Sequence, residues 1–193
     1  CLKAKLKNFF FYFLITLLTC CSSVSYHQMA METPLNMLAI EDSLNNLGLT
    51  KKNQDALALA HKKVAITYLK GKNYKDAKAH FISVLKYSKF DSIAQYNILM
   101  IDGHLLRKTG NKEKLWDAIE FYYKAHRLYP INGEPYFFIG KAYQSLDKND
   151  FDLILESYQK AFQLELSKPL KDEVEKEMLS VLARKKKLKD FWK

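Results

Sequence analysis

Apolar positions change their spacing from one stretch of the chain to the next. Residues 9–18, FFFYFLITLL, are continuously apolar apart from Tyr12 and Thr16, and Lys3, Lys5 and Lys7 precede them without an acid. A membrane-spanning helix needs about 20 apolar residues, which this run does not reach. A basic lead, a short apolar run and an abrupt exit into small polar residues are the layout of a secretory signal, here residues 1–20. Residues 21–33 are polar and unpatterned, and predict a tether. Met37, Ile40, Leu44 and Leu47 then fall three and four apart, which predicts an amphipathic helix ended by Gly48. After Pro169, Val174, Met178, Val181 and Leu182 mark one face of a last helix. Its acids lead and its bases trail, as the helix dipole favours.

Between these flanks one template recurs. In HKKVAITYLKGKNYKDAKAHFISVL (61–85), Val64, Ala65 and Tyr68 are followed by Ala77, Phe81 and Val84. In YFFIGKAYQSLDKNDFDLILESYQKAF (136–162), Ile139, Gly140 and Tyr143 are followed by Ile154, Tyr158 and Ala161. LWDAIEFYYKAHRLYP (115–130) supplies another second half with Ala118, Tyr122, Ala125 and Pro130. Small residues let two antiparallel helices approach, aromatics fill the space beside them, and Pro130 stops its helix. The template position at 77, 118 and 154 recurs at gaps of 41 and 36. The added residues lie mainly near 108–114 and 147–151. SIAQYNILMIDGHLLRKT (92–109) accepts the first-half template in more than one register. Composition agrees with helices throughout: 48% of the 193 residues are hydrophobic, with only 6 Gly and 4 Pro to make turns.

This succession resembles the tetratricopeptide repeat family, over residues 58–166. The resemblance implies an all-α fold across 34–193: about three antiparallel helix pairs in a right-handed superhelical stack, closed by the last helix as a cap. It also implies a concave surface lined by the first helix of each pair, which takes a peptide or a partner protein. The family's groove positions fall on Lys62, Lys63, Ile66, Leu69 and Lys70 in the first repeat, and on Phe137, Phe138, Lys141, Gln144 and Ser145 in the third. Lysines among apolar groups suit a peptide with acidic character. The chaperone-tail clamp of some family members is disfavoured. Lys62 fits it, but Ile66, Glu134 and Phe138 replace an asparagine and two basic residues.

The exit from the apolar run, LLTCCSS, resembles the lipobox of bacterial lipoproteins. That resemblance implies diacylglycerol on Cys21, or alternatively Cys20, and a domain held on the outer or periplasmic side of an envelope membrane. The domain itself has no cysteine, so no disulfide framework is available to it. Initiation at Met29 or Met31 would instead leave a cytoplasmic adaptor.

The formal net charge of +10 admits an anionic membrane or acidic partners. Arg184, Lys185, Lys186, Lys187 and Lys189 form a basic tail suited to a membrane surface. No zinc-finger spacing or aromatic-basic strand points to nucleic acid. The five histidines, His27, His61, His80, His104 and His126, show no metal-ligand spacing, and His61 occupies a packing slot of its repeat. Phosphate loops, nucleophile elbows and paired-carboxylate motifs are absent. The expectation is therefore a binding module without cofactor or metal. An envelope enzyme or carbohydrate-binding accessory that uses the repeats as support is the alternative.

Overall fold

The structure, a computed structural model, describes residues 25–192. The signal, both candidate lipidation cysteines and the first residues of the expected tether lie outside them. Ten helices and no strand occur among the described residues: α1 (Tyr26–Glu32), α2 (Pro34–Ala39), α3 (Glu41–Leu47), α4 (Lys51–Lys70), α5 (Tyr74–Tyr87), α6 (Ser92–Lys108), α7 (Lys112–Leu128), α8 (Glu134–Leu146), α9 (Phe151–Gln163) and α10 (Lys168–Phe191). The fold is an all-α stack of antiparallel pairs: α4 with α5, α6 with α7, and α8 with α9, with α10 packed on α9.

Side-chain oxygens start these helices. Thr50, Asn73, Asp91, Asn111 and Asp150 each accept from a backbone N–H in the first turn of the helix they precede, which satisfies donors that have no partner inside the helix. Gly48 ends α3 at φ 88°, a conformation costly for other residues. Between pairs the chain is tied by backbone bonds from Gly133 to Glu165 and from Glu165 to Ile131.

The core has three clusters, each of which reaches into a neighbouring pair or flanking helix. Leu57, Ala65, Ala77, Phe81 and Val84 build the first cluster, Leu115, Ile119, Tyr122 and Ile139 the second, and Phe137, Ile154, Tyr158, Val174 and Val181 the third. The ambiguous register of the middle repeat is resolved by a close approach. A Cβ on Gly103 would stand 2.5 Å from the Tyr122 ring, as one on Gly140 would stand 2.5 Å from the Tyr158 ring. Gly103 is thus the counterpart of Gly140. It follows that Met100 corresponds to Phe137, His104 to Lys141, and Arg107 to Gln144.

Two flanking expectations are corrected. From Tyr26 onward the tether is helix, and α1 and α2 pack against α4 with Ala30 and Met37 fully buried. These helices cover one side of the first pair through Ala30 and Met37, while Tyr26, Met31 and Leu35 stay exposed. The single helix expected over 37–47 is two, broken at Ile40. That break lets Met37 and Leu44 both reach the core while Glu41 meets His61. At the other end α10 closes the stack with Val174 and Val181 inward, but Leu182 is exposed.

Candidate functional site

The layer formed by α4, α6, α8 and α10 contains the expected groove positions, and most of them are already engaged. Lys62 pairs with the carboxylate of Asp91, the N-cap of α6. Lys63 donates to the Met31 carbonyl of α1. Lys141 pairs with Glu177 of α10 at 3.0 Å, and the Gln144 carbonyl accepts from the Tyr158 hydroxyl at 2.8 Å. Phe137 is 2% exposed, with its ring 5.1 Å from that of Phe138 and 5.8 Å from that of Tyr158. As free groove contacts, Lys62, Lys63, Phe137, Lys141 and Gln144 are therefore corrected. Each next layer of the stack lies over the one before, and groups it covers must pack or be paired. Leu69 packs on the first cluster, while Ile66 and Lys70 stay exposed.

The seam so formed is aromatic and polar. His104 is buried, its ring 4.3 Å from Phe138 and 5.1 Å from Tyr74, with Nδ1 2.9 Å from the Tyr122 hydroxyl. Burial, and secondly the charge of Arg107, hold its pKa down to about 4. Burial likewise pushes the phenols of Tyr122 and Tyr158 up, so both remain protonated donors.

Histidines that show no ligand spacing in the sequence meet in the first pair. His61 Nδ1 lies 2.9 Å from His80 Nδ1, and His61 Nε2 lies 3.0 Å from Glu41 Oε2. Tyr87 donates to the other Glu41 oxygen, and Lys86 donates to the Tyr87 hydroxyl at 2.9 Å. Burial lowers both histidine pKa values. Burial would raise Glu41, but the Tyr87 hydrogen bond and the neighbouring His61 outweigh it and leave the carboxyl lowered. Two neutral imidazoles account for every bond: His80 donates to His61, and His61 donates to the carboxylate. The network is satisfied within itself and pins α3 to α4 and α5. His61 does pack, as its repeat slot implies, but it also carries this polar link. Among the described residues no group of three or more His, Cys, Asp or Glu stands where it could hold a metal ion.

Two guanidinium groups that the repeat template did not single out keep buried N–H atoms without a hydrogen-bond partner. Arg107 of α6 lies 5.6 Å over the Phe138 ring, and its Nε has no hydrogen-bond partner. Arg184 of α10 donates through Nη1 to the Lys148 carbonyl at 3.1 Å, but its Nε and Nη2 are unpartnered. Glu177, then both guanidinium groups, then Glu173 act electrostatically on the Tyr158 hydroxyl, so charges of both signs share this region of the first-helix layer. Exposed Lys70, Lys72, Lys108 and Lys148 lie at the ends of the first helices beside them. The middle-repeat register hid Arg107. Its only signal in the sequence was Gly103, which would have aligned it with Gln144. In the sequence Arg184 belongs to the basic tail, and its hydrogen bond to the Lys148 carbonyl sets it instead against the turn that follows α8.

A separate cavity of about 470 Å³ opens among α5, α6 and α7, lined by Leu85, Ile98, Leu99 and Leu128 with Lys124 and Arg127 at its rim. Compared with models of known protein families and with characterised proteins, the sequence matches none.

Proposed function

We propose that the chain is a non-enzymatic binding module of the tetratricopeptide kind, which holds an acidic segment of a partner protein across Arg107 and Arg184. The observation that carries this reading is the set of exposed cations, Lys70, Lys72, Lys108 and Lys148, at the ends of the first helices, with the half-buried Arg107 and Arg184 in the same layer. A carboxylate is the natural acceptor for a guanidinium, because the fork of N–H groups matches two carboxylate oxygens. Exposed lysines at the ends of the same helices would draw such a segment in. The histidine clusters favour structure over catalysis, since they are satisfied internally.

The test is fluorescence anisotropy of a labelled peptide rich in Glu, Asp and Leu against the full chain. Arg107→Gln with Arg184→Gln is expected to weaken binding by about 10- to 100-fold, as loss of charge-assisted bonds does. Equal binding by the double variant, while it keeps its fold, would defeat the reading.

We further propose an exported, lipid-anchored location, resting on the pattern of residues 1–21. With Cys21 lipidated, only residues 22–25 separate anchor and fold. Intact-mass analysis of the mature N-terminus is expected to show a diacylated Cys21, and an unmodified thiol there would contradict the anchor.

A further inference from the structure

The inner stripe of α10 does not stop where the stack stops. Val174, Val181 and Leu188 follow one another at seven-residue spacing along one side, and Phe191 and Trp192 end the helix beyond them. Val174 and Val181 are fully buried, Leu188 is 41% exposed, and Phe191 and Trp192 are 77% and 78% exposed. Past Val181 the helix is flanked by the turn that follows α8, and both aromatic side chains are left largely exposed. Cations surround them unevenly. Arg184 and Lys185 are engaged with the Lys148 carbonyl and with Asp152, the latter at 2.8 Å, and so leave the expected basic foot. Lys186, Lys187 and Lys189 are exposed and form no ion pair among the described residues, and Lys148 lies at the adjoining turn, where it lines a shallow cavity with Phe151, Lys187 and Phe191.

We propose that this tip is a contact for an anionic lipid bilayer, with Trp192 and Phe191 entering the interface and Lys148, Lys186, Lys187 and Lys189 resting on the headgroups. Charge complementarity selects this occupant. A second copy of a chain with net charge +10 would bring lysine against lysine, whereas an anionic bilayer offers both the negative surface and the apolar boundary that Trp and Phe prefer. The contact stands apart from the N-terminal segment. Ser25 and Tyr26 lie beside Thr50 and Asn53 at the start of α4, while the tip lies beside the turn that follows α8.

The experiment uses the full chain with Trp116→Phe, which leaves Trp192 as its sole tryptophan. Phosphatidylcholine vesicles are compared with vesicles that also contain phosphatidylglycerol. The expected result is a blue shift of Trp192 emission, and its quenching by brominated acyl chains, with the anionic vesicles only. Lys186→Gln, Lys187→Gln and Lys189→Gln together are expected to weaken that response on the order of 100-fold. Trp192 emission that stays at its aqueous wavelength overturns the proposal, even if residues 9–18 carry the chain to the vesicles. So does a shift that is equal on neutral vesicles, or one seen only with an acidic protein partner.

Discussion

Replacing Phe137 by alanine is expected to cost about 3–5 kcal/mol of folding stability, the usual range for a large buried aromatic side chain. Its ring is 2% exposed and packs with Ile154, Tyr158, Val174 and Val181, so the change opens a void where α8, α9 and the capping helix meet. Against a total stability of about 5–15 kcal/mol, that is a large fraction. The thermal midpoint should fall by roughly 10 °C for a domain of this size. Ile66→Ala, at a position 36% exposed on the same layer, should cost far less. Scanning calorimetry separates the alternatives. An unchanged midpoint for Phe137→Ala, with only a partner lost, would mean that the residue belongs to an open groove after all.

The second large effect is acid sensitivity. His104 has its pKa held near 4 by burial and by Arg107, while an unfolded chain binds its proton with a pKa near 6.5. Between those values the unfolded state holds a proton that the folded state refuses, so stability falls as pH drops through the window. The loss attributable to His104 by pH 4 is on the order of 3 kcal/mol. His61 and His80, also lowered, act in the same direction, whereas Glu134, its carboxyl raised by burial, gains stability as pH falls. The isolating comparison is therefore His104→Gln, which keeps a polar partner for Tyr122 but cannot be protonated. Urea midpoints between pH 7 and 4.5 should slope less steeply for this variant than for the natural chain, and identical slopes would contradict the assignment.

The helix pairs were legible because their cause is local. Ala65, Gly140, Phe81, Tyr122 and Tyr158 recur in one order, small residue and then aromatic, since the two must meet where two helices close. The caps at Asn73, Asn111 and Asp150 mark the same boundaries. What the sequence left hidden depends on the next layer. Lys62 and Lys141 look like free cations until Asp91 and Glu177 are placed against them by other helices. Phe137 looks like a groove aromatic until the capping helix covers it. Residues 25–33 carry too few apolar positions to show periodicity, yet Ala30 is enough to seat α1 on α4. Gly103 was readable as a close-approach position, but without its partner Tyr122 in view nothing distinguished it from a flexible point in the helix.

Methyl-resolved NMR of the full chain during titration with the acidic peptide tests the account most directly. Binding at the first-helix layer predicts shifts at the methyls of Ile66, Leu69 and Leu105, together with the Arg107 side chain, and their loss in the Arg107→Gln, Arg184→Gln variant. Shifts confined to Leu85, Ile98 and Leu128, around the cavity among α5, α6 and α7, would place the partner on the other side of the stack and contradict the proposed function.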